Sequence, residues 1–152
     1  MTSDRALLDT NVLVYAMDPN DKRHAACYAL LERTGAPASG LCLAPRVLAE
    51  FYRVVTDPKK VPQARTVADA LDALSAFLSR PGLEILPVPT DLVVRWMDLV
   101  RRYQIRGRRL FDVILVATML ANDVQRIFTY NRGDFELFTE LTVLEPPTVV
   151  TP

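Results

Sequence analysis

Short apolar segments of strand length alternate along this chain with longer segments in which apolar residues recur at helical spacing. The first strand is expected at residues 6–9, where the segment ALLD leads into a turn or helix at Thr10 and Asn11. Helical segments between successive strands are typical of a mostly parallel sheet that is covered on both faces. The chain is therefore expected to adopt an α/β fold. Further strands are expected at residues 41–43, 84–88, 126–130 and 142–144, and helices at about residues 22–33, 45–56, 63–79, 90–103 and 112–122.

Local signals set several of these boundaries. Pro45 suits the first turn of a helix, where its missing N–H does no harm. Thr90 can cap the helix at residues 90–103 through its hydroxyl, and Asp112 is expected to begin the helix at residues 112–122. The helix at residues 63–79 is indicated by apolar residues at helical spacing, namely Val67, Leu71, Leu74 and Leu78.

Length and composition limit the class of protein. A chain of 152 residues with 50% hydrophobic content is expected to form a single domain over residues 1–152. The longest apolar run, LFDVILVATMLA, contains Asp112 and is shorter than the ~18 to 20 residues of a membrane span. The first residues do not have the pattern of a secretion signal, so a cytoplasmic protein without membrane contact is expected. Cys27 and Cys42 form no metal-type CxxC motif and are expected to be small core residues.

Isolated acidic residues lie in or beside four of the apolar segments. A lone carboxylate in such surroundings costs roughly several kcal/mol unless it is paired or protonated. Each of these acids also has an ordinary explanation, because aspartates cap helices and serve turns and a glutamate on the flank of a helix can extend to solvent. The residues are Asp9 and Asp112 as possible caps, Asp134 as a turn residue and Glu50 as a flank residue.

The placement of these four acids favours a shared role. Each lies near the carboxyl end of an expected strand or on the element that follows it, and ligand sites of open α/β sheets form at that edge. Carboxylates within about 4 to 6 Å of one another raise each other's pKa unless a divalent cation neutralises them. Oxygen ligands without clustered histidine or cysteine favour Mg²⁺ or Mn²⁺ over Zn²⁺. The sequence therefore predicts a hard divalent cation at the edge of the sheet.

The charge of the chain does not by itself indicate a nucleic-acid partner. Lys+Arg and Asp+Glu are equal at 18 each, so there is no general positive field. The basic stretch RRYQIRGRRLFD, however, places Arg108 and Arg109 directly before Asp112. Arginine side chains match the geometry of phosphate oxygens. This stretch is either part of a surface that binds a polyanion or a solvated loop.

Four motifs in order carry a resemblance to a known family. They are LLDTNVLVYA, AEFYRVVTDP, FDVILVATMLAND and TYNRGDF, and together they extend over nearly the whole chain. With these motifs the chain resembles the PIN-domain ribonucleases, and among them most closely the VapC-type toxins of toxin–antitoxin pairs. The resemblance implies an α/β/α sandwich with a short, mostly parallel sheet. It also implies Mg²⁺- or Mn²⁺-dependent endonucleolytic cleavage of RNA.

The resemblance assigns roles residue by residue. Three acids would hold the cation, and a fourth would be a ligand through water or the base that orients the nucleophile. Two polar residues would support the metal or its water, while three further residues, two from the basic stretch and one from the last motif, are candidates for contact with RNA. These residues are, in the same order, Asp9, Asp112 and Asp134; Glu50; Asn11 and Thr129; and Arg108, Arg109 and Asn131.

Partners and alternatives follow from the same motifs. The resemblance implies a homodimer and a small antitoxin protein whose C-terminal segment occupies the acidic groove. A haloacid-dehalogenase-like phosphatase also begins with a strand-terminal aspartate, but it needs a second acid two residues later, where this chain has Asn11. A PIN-like module that binds RNA or a protein without cutting is the second alternative.

Overall fold

The computed structural model describes residues 4–35 and 39–149 and contains five short strands, all of them parallel to their neighbours. Their order in the sheet is third, second, first, fourth, fifth in chain numbering, so the first strand lies in the middle. The mostly parallel sheet expected from the sequence is confirmed. The strands are β1 (Ala6–Leu8), β2 (Leu41–Leu43), β3 (Leu83–Ile85), β4 (Arg126–Phe128) and β5 (Thr142–Leu144).

Helices connect these strands. The principal helix–helix contacts join the first helix to the second and third, the third to the fourth, and the fifth to the sixth. Because parallel crossovers are right-handed, the change of direction along the sheet places the first four helices on one face and the last two on the other. The three-layer α/β/α architecture is thereby confirmed. The helices are α1 (Thr10–Ala16), α2 (His24–Glu32), α3 (Pro45–Val55), α4 (Val67–Leu78), α5 (Leu92–Tyr103) and α6 (Leu110–Ala121).

The order in which strands are added to the sheet reverses at β1, and this reversal positions the site. β1 pairs with β2 on one side and β4 on the other, with Leu7 opposite both Cys42 and Ile127. An open α/β sheet forms a crevice at the carboxyl ends of its strands where the strand order reverses. The residues that follow β1 and β4 meet there, and the amide of Asp9 donates a hydrogen bond to the carbonyl of Phe128 at 3.0 Å.

The central strands are buried on both sides. Every residue of β1 and β2 is buried, as expected for apolar segments in a sheet covered on both faces. Burial of each large apolar side chain, such as Leu7 or Leu43, contributes about 1.5–3 kcal/mol. Cys27 and Cys42 are free thiols in this core, as expected. No helix within the described residues is both long enough and apolar enough to span a lipid bilayer.

Several expected boundaries were wrong by a few residues. The strand expected at residues 84–88 is β3, which ends at Ile85. The helix expected from Thr90 begins at Leu92, because the turn in which the amide of Leu92 donates to the carbonyl of Pro89 precedes it. The helix expected to begin at Asp112 begins at Leu110, directly after a 3-10 turn at Gly107–Arg109. Asp112 is therefore in the first turn of α6 and is not its cap.

Most of the apolar series on α4 lies outside the face that packs against the protein, and only Leu74 of the series contacts the core. Val67, Leu71 and Leu78 are at least half exposed, and the helix packs through Ala70, Ala73 and Phe77. The Phe77 ring contacts the Phe51 ring of α3 edge to face, with centroids 5.2 Å apart. Small residues allow the two helices to approach, so the alanine side is the one buried. The helix begins at Val67 rather than at residue 63, because the hydroxyl of Thr66 caps it by accepting from the amide of Asp69.

Candidate active site

A cleft of about 420 Å³ opens at the carboxyl ends of β1 and β4. All four acids singled out in the sequence line this cleft, although they come from the ends of different elements. Asn11 and Asn131 line it as well, whereas Thr129 is buried. The acids are Asp9 after β1, Glu50 on α3, Asp112 on α6 and Asp134 after β4.

Asp9 is held in a fixed orientation. It is the N-cap of α1, and its Oδ1 accepts a hydrogen bond from the amide of Thr10 at 2.8 Å. Its Oδ2 accepts from the hydroxyl of Thr129 at 2.7 Å and from Nδ2 of Asn11 at 3.1 Å. Burial raises the pKa of Asp9, while the hydrogen bonds from Thr129 and Thr10 lower it. Asp9 is thus both the cap of α1 and one of the acids that line the cleft.

Asn11 and Thr129 connect the two strand ends. Oδ1 of Asn11 accepts from the amide of Tyr130 at 3.1 Å, and its Nδ2 also lies 3.2 Å from the hydroxyl of Thr129. The hydroxyl oxygen of Thr129 accepts in turn from the amide of Asn131 at 2.9 Å. Through these bonds Asn11 and Thr129 position Asp9 and the backbone of Asn131, so their geometry is that of supporting residues.

Asp112 is held quite differently. Neither of its carboxylate oxygens accepts a hydrogen bond or forms an ion pair within residues 4–35 and 39–149. Burial and the nearby negative charges of Asp134 and Asp9 raise the pKa of Asp112 to about 6, while Arg109 acts in the opposite direction. Its place in the first turn of α6 favours negative charge, but only modestly. Both oxygens of Asp112 are therefore available to a ligand.

Glu50 lies on the flank of α3, as expected from the helical pattern. Its Oε2 accepts a hydrogen bond from the hydroxyl of Thr10 at 3.1 Å, and its Oε1 lies 3.6 Å from Nη2 of Arg53. The Glu50 side chain is 37% exposed, so this carboxylate reaches the cleft and solvent together. Its negative charge contributes to the raised pKa of both Asp9 and Asp112.

Asp134 ends the 3-10 turn Arg132–Asp134 that follows β4, and its side chain is exposed. Its backbone carbonyl accepts a long hydrogen bond of 3.4 Å from Nη2 of Arg109. After burial, the Asp134 charge is the largest cause of the raised pKa of Asp112. The turn interpretation is correct for its backbone, while its carboxylate belongs to the acidic cleft.

The cations at the cleft are not the ones that the sequence singled out. Arg108 and Arg109 are exposed and lie outside the set of residues that line the cleft. Arg23 and Lys60 are the cationic residues within the lining. Both belong to connections between helices, and no sequence pattern identified them, because neither lies in a dense basic stretch.

The chemistry of the donors fits a hard divalent cation. The lining supplies carboxylate and amide oxygens and includes neither histidine nor cysteine, and such donors suit Mg²⁺ or Mn²⁺. Asp112 in particular has two oxygens without a partner among the described residues. Across the same part of the chain, no group of three or more His, Cys, Asp or Glu side chains has an arrangement that could hold a metal ion as it stands. The oxygen ligands are therefore of the kind that Mg²⁺ or Mn²⁺ prefers, but they are not already arranged around one metal position.

Comparison with known proteins places this geometry in a family. Residues 6–140 match the family model of the PIN domain. The ribonuclease VapC43 of Mycobacterium tuberculosis is 32% identical over 116 residues, which cover 76% of this chain and 79% of that relative.

Solved structures agree on the fold. Mycobacterium tuberculosis VapC20, a Sarcin-Ricin loop cleaving toxin, superposes with a TM-score of 0.65 at 18% identity, covering 90% of this chain and 98% of that one. A toxin–antitoxin complex from Klebsiella pneumoniae gives a TM-score of 0.59 at 23% identity, covering 95% of this chain and 99% of that one. The family model and the curated relative extend over most of the chain, and the structures share its architecture. The chain therefore belongs to the PIN domain family, with a VapC ribonuclease among its relatives.

Proposed function

We propose that this protein is an endoribonuclease that hydrolyses RNA phosphodiester bonds with water and uses Mg²⁺ or Mn²⁺ as its cofactor. The observation that carries the proposal is the convergence of the four predicted carboxylates on one cleft, where Asp112 has no hydrogen-bond donor among the described residues and a pKa of about 6. A carboxylate in that state gains most from a divalent cation. The relative VapC43 is named a ribonuclease, which supports RNA as the substrate.

The proposed roles follow from how each side chain is held. Asp9, Asp112 and Asp134 would hold the cation. When bound, the cation would lower the pKa of water and stabilise the charge that develops on the phosphate oxygens. Asp9 supplies a ligand in a fixed orientation, because three hydrogen bonds determine its position.

Glu50 and the supporting residues complete the site. Glu50 accepts one hydrogen bond from Thr10 and reaches solvent, so we assign it the orientation of the attacking water and the acceptance of its proton. Thr129 and Asn11 keep Asp9 in place through direct hydrogen bonds. Asn131 lines the cleft beside them and is proposed to contact the RNA, as are Arg108 and Arg109 from outside the cleft lining.

We also propose that the protein is the toxin of a toxin–antitoxin pair and acts as a homodimer. The solved complex from Klebsiella pneumoniae, which shares this fold, is a toxin with its antitoxin. A cleft lined by several acids suits a basic segment of a partner, because arginine and carboxylate form strong bidentate pairs. The same acidic cleft would then serve cleavage and inhibition, so an antitoxin would compete with the catalytic cation.

The direct test is cleavage of total cellular RNA by the purified protein with Mg²⁺, with Mn²⁺ or with EDTA, followed by end sequencing. The Asp9→Asn and Asp112→Asn variants change charge at nearly constant volume, and Asp72→Asn on the exposed face of α4 is the matched control. We expect cuts that require the metal, disappear in both site variants and persist in the control. An intact wild-type protein that cuts nothing with either metal would favour the module that binds without cutting.

A further inference from the structure

A stacked tyrosine and arginine form part of the cleft wall beside the acids. The guanidinium carbon of Arg23 lies 3.6 Å from the centroid of the Tyr15 ring, and Tyr130 packs edge-on against Tyr15 with centroids 5.6 Å apart. Tyr15 and Asn11 are four residues apart on α1 and therefore share one face of that helix. Both side chains line the cleft. The helix that Asp9 caps thus carries the aromatic ring directly beside the acidic site.

Asp21 holds the guanidinium in place. Its Oδ1 accepts from Nε of Arg23 at 2.9 Å and from the Arg23 amide at 2.8 Å, and its Oδ2 accepts from Nη2 at 2.9 Å. The arginine lowers the pKa of Asp21 to about 2, so the pair stays charged at neutral pH. Nη1 of Arg23 donates no hydrogen bond to any described residue, and the side chain remains 34% exposed. One end of the guanidinium is therefore free for a ligand.

This arrangement is better suited to the stacking of a planar ligand than to the general electrostatic attraction of a polyanion. Asp21 already neutralises the charge of Arg23, so the pair adds little net positive field. The pair does present an aromatic ring and a guanidinium that is held in place by Asp21, and unpaired nucleobases stack on aromatic rings and on guanidinium planes. Lys60 lies in the same lining, is exposed and forms no ion pair with the described residues, so it can meet a phosphate.

We infer that Tyr15 and Arg23 form a subsite for one unpaired nucleotide next to the four acids, an inference that rests on the proposed function. The base stacks on the pair, and Nη1 of Arg23 and the Lys60 ammonium contact oxygens of the nucleotide. The cleft volume of about 420 Å³ lies within the range of about 300–1,000 Å³ typical of small-molecule pockets. Because a paired base cannot enter such a stack, the nucleotide bound there is unpaired.

The pair could instead only brace the connection between α1 and α2, so the test must separate stacking from bracing. Binding of two probes is measured by fluorescence anisotropy. One is fluorescein-labelled decauridylate, and the other is an equally long ribose-phosphate chain without bases. All titrations use protein that also carries Asp112→Asn, in Mg²⁺, so that the probe is not cut. Cleavage of total RNA is measured separately with Asp112 intact.

Stacking predicts a loss that depends on the base. We expect about tenfold tighter binding of decauridylate than of the abasic chain, and Tyr15→Leu should remove that preference while leaving abasic binding unchanged. Tyr15→Phe, which keeps the ring, should retain the preference. Arg23→Gln should weaken both probes and remove the preference. Tyr28→Leu, an exposed tyrosine on α2 outside the cleft lining, is the matched control and should change neither probe.

The outcomes separate this inference from the proposed function. Cleavage by the wild-type protein together with an unchanged base preference in folded Tyr15→Leu overturns the subsite and leaves the nuclease intact. Equal losses for both probes in that variant also overturn it, since bracing explains them. A base preference that depends on Tyr15, in a protein that cuts no RNA, supports the subsite and overturns the nuclease. Absence of both binding and cleavage overturns the two together.

Discussion

Asp9 and Asp112 line the same cleft, but the fold holds them in opposite ways. Asp9 is buried and accepts three hydrogen bonds, from Thr10, Asn11 and Thr129. Asp112 accepts none from the described residues, and burial with two neighbouring acids raises its pKa to about 6. Hydrogen bonds therefore offset the free-energy cost of burying the Asp9 carboxylate. No hydrogen bond from the described residues offsets that cost for Asp112.

This difference indicates that the two carboxylates would contribute differently to the binding of a metal ion. A carboxylate with several donors has a fixed direction but has already gained much of its stabilisation from the protein. A carboxylate without donors destabilises the folded protein when ionised, and a bound cation removes that cost. Asp9 is therefore suited to set the position of a metal ion, and Asp112 to supply free energy for binding it. Variants that remove either property test this comparison.

The largest effect is expected from Asp112→Asn. This variant keeps the shape of the side chain and removes the charge, so cleavage of a mapped RNA site should fall more than about 100-fold. Even residues that only orient a metal ligand typically contribute 10- to 100-fold. Initial rates at saturating Mg²⁺ measure the loss, with Asp72→Asn as the control. Substantial cleavage by the folded variant would remove Asp112 from the proposed site.

Thr129→Val should have the next largest effect, and it acts on Asp9 rather than on Asp112. The change removes the hydroxyl that donates to Asp9 and accepts from the amide of Asn131. Cleavage should fall about 10- to 100-fold, and the free energy of unfolding should fall by about 1–3 kcal/mol, because buried polar groups lose a partner.

Rates and urea denaturation measure both effects of Thr129→Val. Thr142→Val, on the exposed surface of β5, is the control for loss of a threonine hydroxyl. A variant with unchanged stability and activity would show that the Asp9 network is not what fixes this carboxylate.

Asp112→Asn should also stabilise the metal-free protein at neutral pH, in contrast to Thr129→Val. The pKa of Asp112 is raised in the folded state from 3.8 to about 6. The folded protein therefore binds this proton more tightly than the unfolded chain. Stability from this group is fully present below about pH 4 and is lost as pH rises through about 6. Above that range the variant should be more stable by about 1–2 kcal/mol, after allowance for screening at a partly exposed group.

Urea denaturation in EDTA at several pH values measures this difference. The wild-type protein and the variant should have similar stability near pH 4 and diverge toward pH 7. Added Mg²⁺ should stabilise the wild-type protein more than the variant, because binding to the folded state alone raises stability. Parallel pH curves for the two proteins would contradict the raised pKa.

The smallest effect is expected from Arg109→Gln. Arg109 lowers the pKa of Asp112, so its removal should raise that pKa. The acidic limb of the cleavage rate, which rises as Asp112 loses its proton, should move to higher pH. Arg108→Gln, the exposed neighbour, is the control. The difference between the two variants should decrease in high salt.

The sequence predicted the architecture and the acids of the cleft well. Short apolar segments separated by helical patterns are local signals, and they identified the parallel sheet and its layers. Lone acids at strand ends were an equally local signal, and all four line the cleft. Local signals were less accurate for the first residues of helices, because the turns before Leu92 and Leu110 make α5 and α6 begin at residues other than those predicted.

The spacing of the apolar residues predicted the helix α4 but did not reveal the face through which it packs. Leucine and valine marked one side of this helix, but the helix packs through Ala70, Ala73 and Phe77. Shape decided the outcome, because small residues allow close approach to α3. Likewise the densest basic stretch is not in the cleft lining, and the arginine that is there, Arg23, lies in a connection with fewer basic residues.

By itself, then, the sequence determined which segments form strands and helices and which residue types stand at the edge of the sheet, since periodicity and strand ends are properties of neighbouring residues. Only the tertiary structure decided how those residues differ. One of the three donors that orient Asp9, the Thr129 hydroxyl, is 120 residues away along the chain, and no local pattern records the absence of a donor to Asp112 among the described residues. The pKa of a carboxylate depends on its burial, hydrogen bonds and neighbouring charges, and folding alone brings these together.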